Sequence, residues 1–514
     1  MDFIKHVPHG YVLREAQVKV LQAIGQAWEK ADNFVVHVPV GVGKSLIAMT
    51  ISNAVFSSHI LTPAKDLQTQ YVETFGKDVA LIAGRGNYDC CYKKPFRLPS
   101  MKKIIEQGRI PPRSPGFSPC SADDRVCKTA SGKLDCMASG VDICPFDLAV
   151  QYAQQSPIAV HNMAGFCYHA EMSNKFLPRD VLIVDEAHSL EDVLRNVGVQ
   201  EIELSKQEFE ILEPKFEKED FLPAPDLAED LVAFKYERGL MDVAFPTYVL
   251  DKKYAELKRR EHAKPARLLL TPKYTAALSQ KHILNFGEKR VFMSGSIADY
   301  EYFTESLRLP SETTVKIEMT TSPFPVGSRL IIFPKNHLVD MNSKKRKDNE
   351  PLLDAAVRRI LDRHPNEKGV IHTTSYAVSS ELGYRLRDTG RMIAPKNGFE
   401  HKRMFDSFLN SGSNSVYISP SISEGVDLKY DRARFQIITT VSYLPPSYKN
   451  AFGEKPYIKR MNRQAMQTLM QQVGRVTRAA DDHGVSYLID SRGEDILSRD
   501  FPLWFKEAVR KVDI

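Results

Sequence analysis

Phe34-Val-Val-His-Val38-Pro39-Val-Gly41-Val-Gly43-Lys44-Ser45 is the stretch that decides the architecture. Its first five residues read as a buried strand, the glycines as a turn, and Ser45 to Ala54 as a helix. A strand that passes through a glycine turn into a helix is the setting a phosphate-binding loop requires. Glycines let backbone N–H groups curl around phosphate oxygens, and the helix N-terminus adds positive potential. In that reading Gly41 and Gly43 shape the loop, Lys44 reaches the β/γ-phosphates and Ser45 ligates Mg²⁺. The strict G-x-x-x-x-G-K-[ST] pattern wants glycine where Val38 stands, but the G-x-G-K-S core is intact.

The same grammar of strand then turn recurs at Ser57–Thr62, Val181–Asp185, Arg290–Ser294, Gly369–Thr373, Ser415–Ser419, Phe435–Thr439 and Val485–Asp490. Near-continuous apolar strands separated by helix-length segments indicate parallel sheets covered on both faces, and there are enough of them for two sheets. A chain of 514 residues has room for about three domains at roughly 150 residues each. With 43% apolar and 26% charged residues it is neither disordered nor fibrous. Its apolar runs are too short to cross a bilayer, and the start lacks a signal-peptide pattern, so an intracellular protein is expected. The net charge of +6 permits a polyanionic partner without demanding one.

Three stretches depart from the sheet pattern. Residues 89–133 carry ten basic and four acidic residues among Cys, Pro and Gly, and read as a loop-rich insert. Residues 201–230 hold eleven acidic residues against three lysines, whereas 251–290 hold eleven basic against four acidic. A polarised helical insert is expected there, with a long helix around Tyr254–Arg260. Ser343–Lys347 reads as a solvated basic loop.

Val181-Leu-Ile-Val-Asp185-Glu186-Ala-His188 supplies the second half of a nucleotide site. Asp185 ends a buried strand where a carboxylate can hold Mg²⁺, and Glu186 can polarise an attacking water. From this point the motifs resemble those of superfamily 2 helicases, specifically the XPD/DinG-like family with an iron–sulfur cluster, over most of the chain. Arg14-Glu-Ala-Gln17 resembles the N-terminal R-x-x-Q element, whose Gln contacts adenine. Thr62-Pro-Ala-Lys65-Asp-Leu-Gln68-Thr-Gln70 resembles motif Ia, which touches the nucleic-acid backbone, and Asp185 to His188 is the DEAH form of motif II. Ser294-Gly295-Ser296 resembles motif III, with Ser in place of Thr at the end, and Thr373-Thr-Ser375-Tyr376 resembles motif IV. Ser423-Glu424-Gly425-Val-Asp427 resembles motif V, and Gln471-Gln-Val-Gly474-Arg475-Val-Thr-Arg478 motif VI. The resemblance implies that Arg475 and Arg478 reach the γ-phosphate from the second sheet domain, with Gln471 beside them, and that Gly425 and Asp427 complete the nucleotide site.

All seven cysteines fall between Cys90 and Cys167, and an odd count in a large intracellular chain argues for metal ligation over disulfides. Gly84-Arg-Gly-Asn87-Tyr88-Asp-Cys90 resembles the family's approach to its first cluster ligand, and Cys144-Pro145-Phe146 its exit after the last. The resemblance implies a [4Fe–4S] cluster on Cys90, Cys127, Cys136 and Cys144. Cys120 is the rival for a middle ligand, Cys91 for the first, and zinc is the rival metal. Cys167 reads as a core thiol.

The expected fold is α/β: two RecA-like parallel-sheet domains, with an Fe–S insert and a small helical, Arch-like insert in the first. The first domain spans 1–88, 146–189 and 290–328, the cluster insert 89–145, the Arch-like insert 190–289, and the second domain 329–514. The implied activity is an ATP- and Mg²⁺-dependent DNA helicase moving 5′ to 3′ on single-stranded DNA and opening forked or 5′-tailed duplex. It would act as a monomer, without a membrane, in the cytoplasm of a bacterium or phage-infected cell or in a eukaryotic nucleus. The alternative is a DNA-stimulated ATPase that remodels protein–nucleic-acid complexes without processive unwinding. No nuclease domain is expected, since the phosphate loop begins only about 40 residues into the chain.

Overall fold

The computed structural model describes residues 1–76, 79–84, 87–88, 145–172, 176–217, 220–227, 253–259, 265–342, 345–422, 428–477 and 481–514. Cys90, Cys127, Cys136, Cys144 and their rivals Cys91 and Cys120 lie outside the described residues, as do Gly425, Asp427 and Arg478.

Among the described residues the first lobe is a seven-stranded, wholly parallel sheet. Its strands are β1 (Asn33–His37), β2 (Ser58–Thr62), β3 (Ala80–Ile82), β4 (Ile158–Asn162), β5 (Arg179–Asp185), β10 (Gly287–Ser294) and β11 (Thr314–Glu318), in the order β11-β1-β10-β5-β2-β4-β3. Every residue of β1 and β2 is buried, as sheets covered on both faces require. Helices α1 (Glu15–Ala27), α2 (Lys44–Asn53), α3 (Lys65–Phe75) and α4 (Pro145–Gln155) help to cover it. Cys167 is a buried free thiol in this core, and burial pushes it up to about 12.

The second lobe repeats the plan with β12 (Ile331–Pro334), β13 (Gly369–His372), β14 (Met392–Ile393), β15 (Val416–Ser419), β16 (Phe435–Ile438), β17 (Val485–Leu488) and β18 (Val509–Val512). All are parallel, in the order β14-β15-β13-β16-β17-β12-β18.

The insert between these sheets corrects the helical expectation. It is built on an antiparallel sheet of β6 (Gln200–Glu203), β7 (Phe221–Pro223), β8 (Lys253–Lys258) and β9 (Arg267–Pro272), ordered β6-β9-β8-β7. The run Tyr254-Ala-Glu-Leu-Lys is rich in helix formers, yet it forms β8 because it pairs along its whole length with the apolar Arg267–Pro272. Ala255 and Leu257 point into the insert's own core, while Tyr254 on the opposite face packs against the second lobe. Cross-strand packing of this kind overrides intrinsic propensity.

Two further helices of the first lobe, α5 (Leu190–Val197) and α6 (Tyr300–Leu307), meet α7 (Tyr448–Phe452) and α8 (Glu454–Val473) of the second. Buried Glu191 on α5 is the centre of this junction. It accepts from Arg195 at 2.6 Å, from Arg460 at 3.1 Å and Arg463 at 2.6 Å on α8, and from the Tyr302 hydroxyl at 2.9 Å. Burial raises the Glu191 carboxyl, but Arg463, Arg460 and Arg195 outweigh it and bring it down to about 2. Beside this hub Phe221 of the insert lies on Tyr448, ring centroids 4.1 Å apart, and the Arg460 guanidinium sits 4.9 Å from the Phe452 ring. No helix among the described residues is long and apolar enough to cross a membrane.

Candidate active site

Strand order assembles the site. Because β10 lies between β1 and β5, with His37 opposite Ser294 and Met293 opposite Asp185, the phosphate loop, Ser294 and Asp185 emerge side by side at the carboxyl ends of three adjacent strands. That edge is where open α/β sheets bind ligands.

The loop needs its glycines. Gly41 and Gly43 have φ of 87° and 91°, a region that penalises any side chain. From below, the Gln17 amide donates to Gly43 O at 3.1 Å and accepts from the Arg14 N–H at 2.8 Å; Arg14 itself donates to Gly41 O at 3.0 Å. Gln17 is buried and braces the loop, whereas Arg14 lines the cavity above it.

Lys44 opens α2 and meets Glu186 at 2.9 Å. Glu186 takes φ of +54°, a rare conformation for a residue with a side chain. Such strain costs on the order of 1–3 kcal/mol and persists where surrounding structure enforces it. Burial pushes the Asp185 carboxyl up, whereas Glu186, for which burial acts the same way, is held well below the usual range by Lys44 and His188. Asp185 accepts from the Tyr71 hydroxyl at 3.0 Å, and Ser45 lies near enough to the same phenol to lower it. Burial and the Asp185 charge push Tyr71 well up, so it remains a donor.

His188 links this wall to the second lobe. Its Nδ1 lies 2.8 Å from Ser294 Oγ, and Gln471 on α8 donates to its Nε2. Gln471 also donates to Ser296 Oγ at 3.4 Å, and Gln467 to the His188 carbonyl at 2.9 Å. Behind them His372, Gln436 and the Gln472 carbonyl form a buried chain, in which burial brings His372 down to about 4. Val40 at the loop tip is pressed from both sides: a Cβ on Gly295 or on Gly474 would come within 2.9 Å of its Cγ2.

A cavity of about 450 Å³ results, lined among others by Arg14, Lys44, Ser45, Asp185, Glu186 and Arg475. That volume falls within the range of ligand pockets, roughly 300–1,000 Å³. Its chemistry fits a nucleoside triphosphate with Mg²⁺: a glycine turn at a helix N-terminus, cations from both lobes, and a hydroxyl and a carboxylate as hard oxygen donors. Among the described residues no group of three or more His, Cys, Asp or Glu is arranged to hold a metal.

Known proteins match in the same sense. Residues 357–508 match the helicase C-terminal domain family, and residues 10–213 the res subunit of type III restriction enzymes. Escherichia coli (strain K12) ATP-dependent DNA helicase YoaA is 23% identical, covering 95% of this chain and 92% of that protein. These matches make the chain similar to helicases of the kind its motifs resemble. A solved XPD helicase has a TM-score of 0.58 at 15% identity, covering 98% of this chain and all of the other. S. tokodaii Xpd4 scores 0.55 at 14% with the same coverage. At such identities the likeness is one of fold.

Of the helicase motif residues, Lys44, Ser45, Asp185, Glu186, His188, Gln471 and Arg475 converge. Sequence reasoning missed Tyr71 and the Glu191 hub. One signal was present: Arg460, Arg463, Gln467 and Gln471 recur every three to four residues and so share a helix face, the face that meets the first lobe.

Proposed function

We propose that this helicase hydrolyses ATP with Mg²⁺ between its two lobes to move 5′ to 3′ along single-stranded DNA and to open forked or 5′-tailed duplex. The observation that carries the reading is the shared cavity, where Lys44 and Ser45 of one lobe stand across from Gln471 and Arg475 of the other. ATP bridging such a cleft draws the walls together, and loss of the γ-phosphate releases them. Lys44 binds the phosphates, and Ser45 with Asp185 holds the cation, which neutralises developing charge. Glu186, kept ionised by Lys44 and His188, orients the attacking water, and Arg475 stabilises the transition state, joined by Arg478. Gly425 and Asp427 belong to the same site, and Arg14 borders the base.

The polarity and the DNA substrate rest on resemblance to the XPD/DinG family and on YoaA, an ATP-dependent DNA helicase by name. A [4Fe–4S] cluster on Cys90, Cys127, Cys136 and Cys144 belongs to the same proposal. It is supported by the described flanks of the insert, which meet: the Tyr88 and Phe146 rings are 5.6 Å apart, and Asn87 accepts from Lys65 at 2.6 Å.

Unwinding of matched 5′- and 3′-tailed duplexes by wild type, Lys44→Ala and Cys136→Ser tests the reading. Displacement of the 5′-tailed substrate alone, lost in Lys44→Ala, is expected. ATPase without displacement of either would favour the remodelling alternative. Iron and sulfide analysis of anaerobically purified protein tests the cluster, and stoichiometric zinc without iron would refute it.

A further inference from the structure

One buried phenol lies against the two groups proposed to hold Mg²⁺, and it comes from an element that carries no nucleotide-binding motif. Helix α3 begins at Lys65, just after Thr62-Pro-Ala, and Lys65 Nζ donates to Asn87 at the base of the cysteine-bearing insert at 2.6 Å. Six residues further on, about 9 Å along the axis at 1.5 Å per residue, Tyr71 is completely buried. Its hydroxyl donates to Asp185 Oδ2 at 3.0 Å, with the Ser45 side chain near enough to act on the phenol. Gln68, one turn before it, anchors the same face by donating to Ile82 O at 3.0 Å. The helix is thus tied at its start to the edge proposed to meet DNA, and in its middle to Asp185, beside Ser45, at the cation site.

We infer that Tyr71 is a positioning residue that sets the spacing of Ser45 and Asp185 for the divalent cation, and that it transmits DNA binding at the start of α3 to the nucleotide cavity. The transmission rests on the proposed helicase function; the spacing role does not. Geometry requires the hydroxyl and not merely the ring, because the ring only fills core whereas the oxygen is hydrogen-bonded to Asp185 beside Ser45. A shift of α3 on DNA would move that oxygen, and with it the separation of Ser45 and Asp185. Linkage then works both ways: DNA changes Mg²⁺-nucleotide affinity by the factor by which Mg²⁺-nucleotide changes DNA affinity.

Tyr71→Phe removes only the oxygen and keeps the packing, so its melting temperature without ligand should stay close to wild type. Fluorescent ADP is titrated with and without Mg²⁺, in each case with and without an oligo-dT strand. Mg²⁺ should tighten ADP binding by wild type, and in Tyr71→Phe that enhancement should shrink about tenfold, the effect of losing a hydrogen bond to a charged group. Affinity for ADP without Mg²⁺, and for oligo-dT without nucleotide, should not change. The oligo-dT effect on Mg²⁺-ADP affinity should fall to nothing in the variant. An enhancement within twofold of wild type overturns the positioning role. A preserved oligo-dT effect in the variant overturns the transmission. If wild type binds no oligo-dT, the proposed helicase function fails while the Mg²⁺ comparison still decides on Tyr71. Should Tyr71→Phe melt early, Gln68→Leu, which loosens α3 without touching either donor, must weaken the oligo-dT effect and leave the Mg²⁺ enhancement in its absence intact; an unaltered oligo-dT effect there also overturns the transmission.

Discussion

The lobes meet in two places of opposite character. At the Glu191 hub a buried carboxylate is matched by three guanidinium groups and a phenol, and aromatic rings close around it. At the nucleotide cavity the walls carry as many charges, but Lys44, Ser45, Asp185, Glu186 and Arg475 face a space of about 450 Å³. The hub charges are packed against one another, whereas those of the cavity line a space that a ligand can enter. A cleft that is to open and close needs both: one junction that holds the lobes in register and another whose partners change with each nucleotide. The hub's position on α5, one turn past His188 of the cavity wall, places the two junctions at opposite ends of one short segment.

The largest effect that would break this contrast is in catalysis. Arg475→Ala should lower DNA-stimulated ATPase by about 10³–10⁵-fold, the worth of an arginine that stabilises phosphoryl transfer. Thermal stability should hardly change, because Arg475 is no part of the hub. An ATPase rate within tenfold of wild type would mean that the second lobe does not complete the cavity.

At the hub the effect should be on stability. Glu191→Ala leaves three arginines facing a void, and removing one partner of a buried ion pair costs about 3–5 kcal/mol. Denaturant unfolding would measure it, and a loss under 1 kcal/mol would make the hub ornamental. The pH dependence separates hub from core. The Glu191 carboxyl lies at about 2 when folded against 4.5 in the free side chain. It therefore stabilises the fold above 4.5, and that share, about 3 kcal/mol at 1.36 per pKa unit, is lost as pH falls from 4.5 to 2. Burial depresses His59 to about 3 and His372 to about 4, from 6.5. Unfolding lets these histidines take up protons, so stability already declines below pH 6.5. Glu191→Gln should leave the decline from 6.5 to 4.5 untouched and flatten the part below it.

The contrast also marks what could be read from residues alone. Both parallel sheets and the phosphate loop were legible because buried strands and glycine turns leave local signatures. The cavity was legible because its residues sit in dense motifs. Tyr71 was not, since a tyrosine on a helix reads as core until the strand order brings Asp185 beneath it. Glu191, Arg460 and Arg463 were not singled out, as nothing local says that α5 and α8 touch. The insert was misread for a related reason: Ala, Glu, Leu and Lys favour a helix, and only pairing with a distant strand makes β8 of them.

The smallest effect tests whether the cavity junction is tight where the hub is rigid. Gly474 has an ordinary φ of −76°, so alanine is allowed by its backbone, yet its Cβ would lie 2.9–3.2 Å from the Val40 side chain. Crowding of this size in a packed site costs typically about 1–3 kcal/mol. Here the lobes can relieve it by parting slightly, so the cost should appear as weaker ATP binding more than as lower stability. Val40→Ala removes both crowded methyls, leaving only its Cβ at 3.0 Å, and should recover part of the ATP affinity lost in Gly474→Ala. By itself Val40→Ala should cost little, because it opens space at the loop tip without moving a charge. A double-mutant cycle therefore predicts a favourable coupling of at least about 0.5 kcal/mol, the threshold above which neighbouring sites depart from additivity. Glu191→Gln combined with Gly474→Ala should instead be additive. If Gly474→Ala and Val40→Ala are additive while the hub pair is coupled, closure is governed from the hub and not from the loop tip.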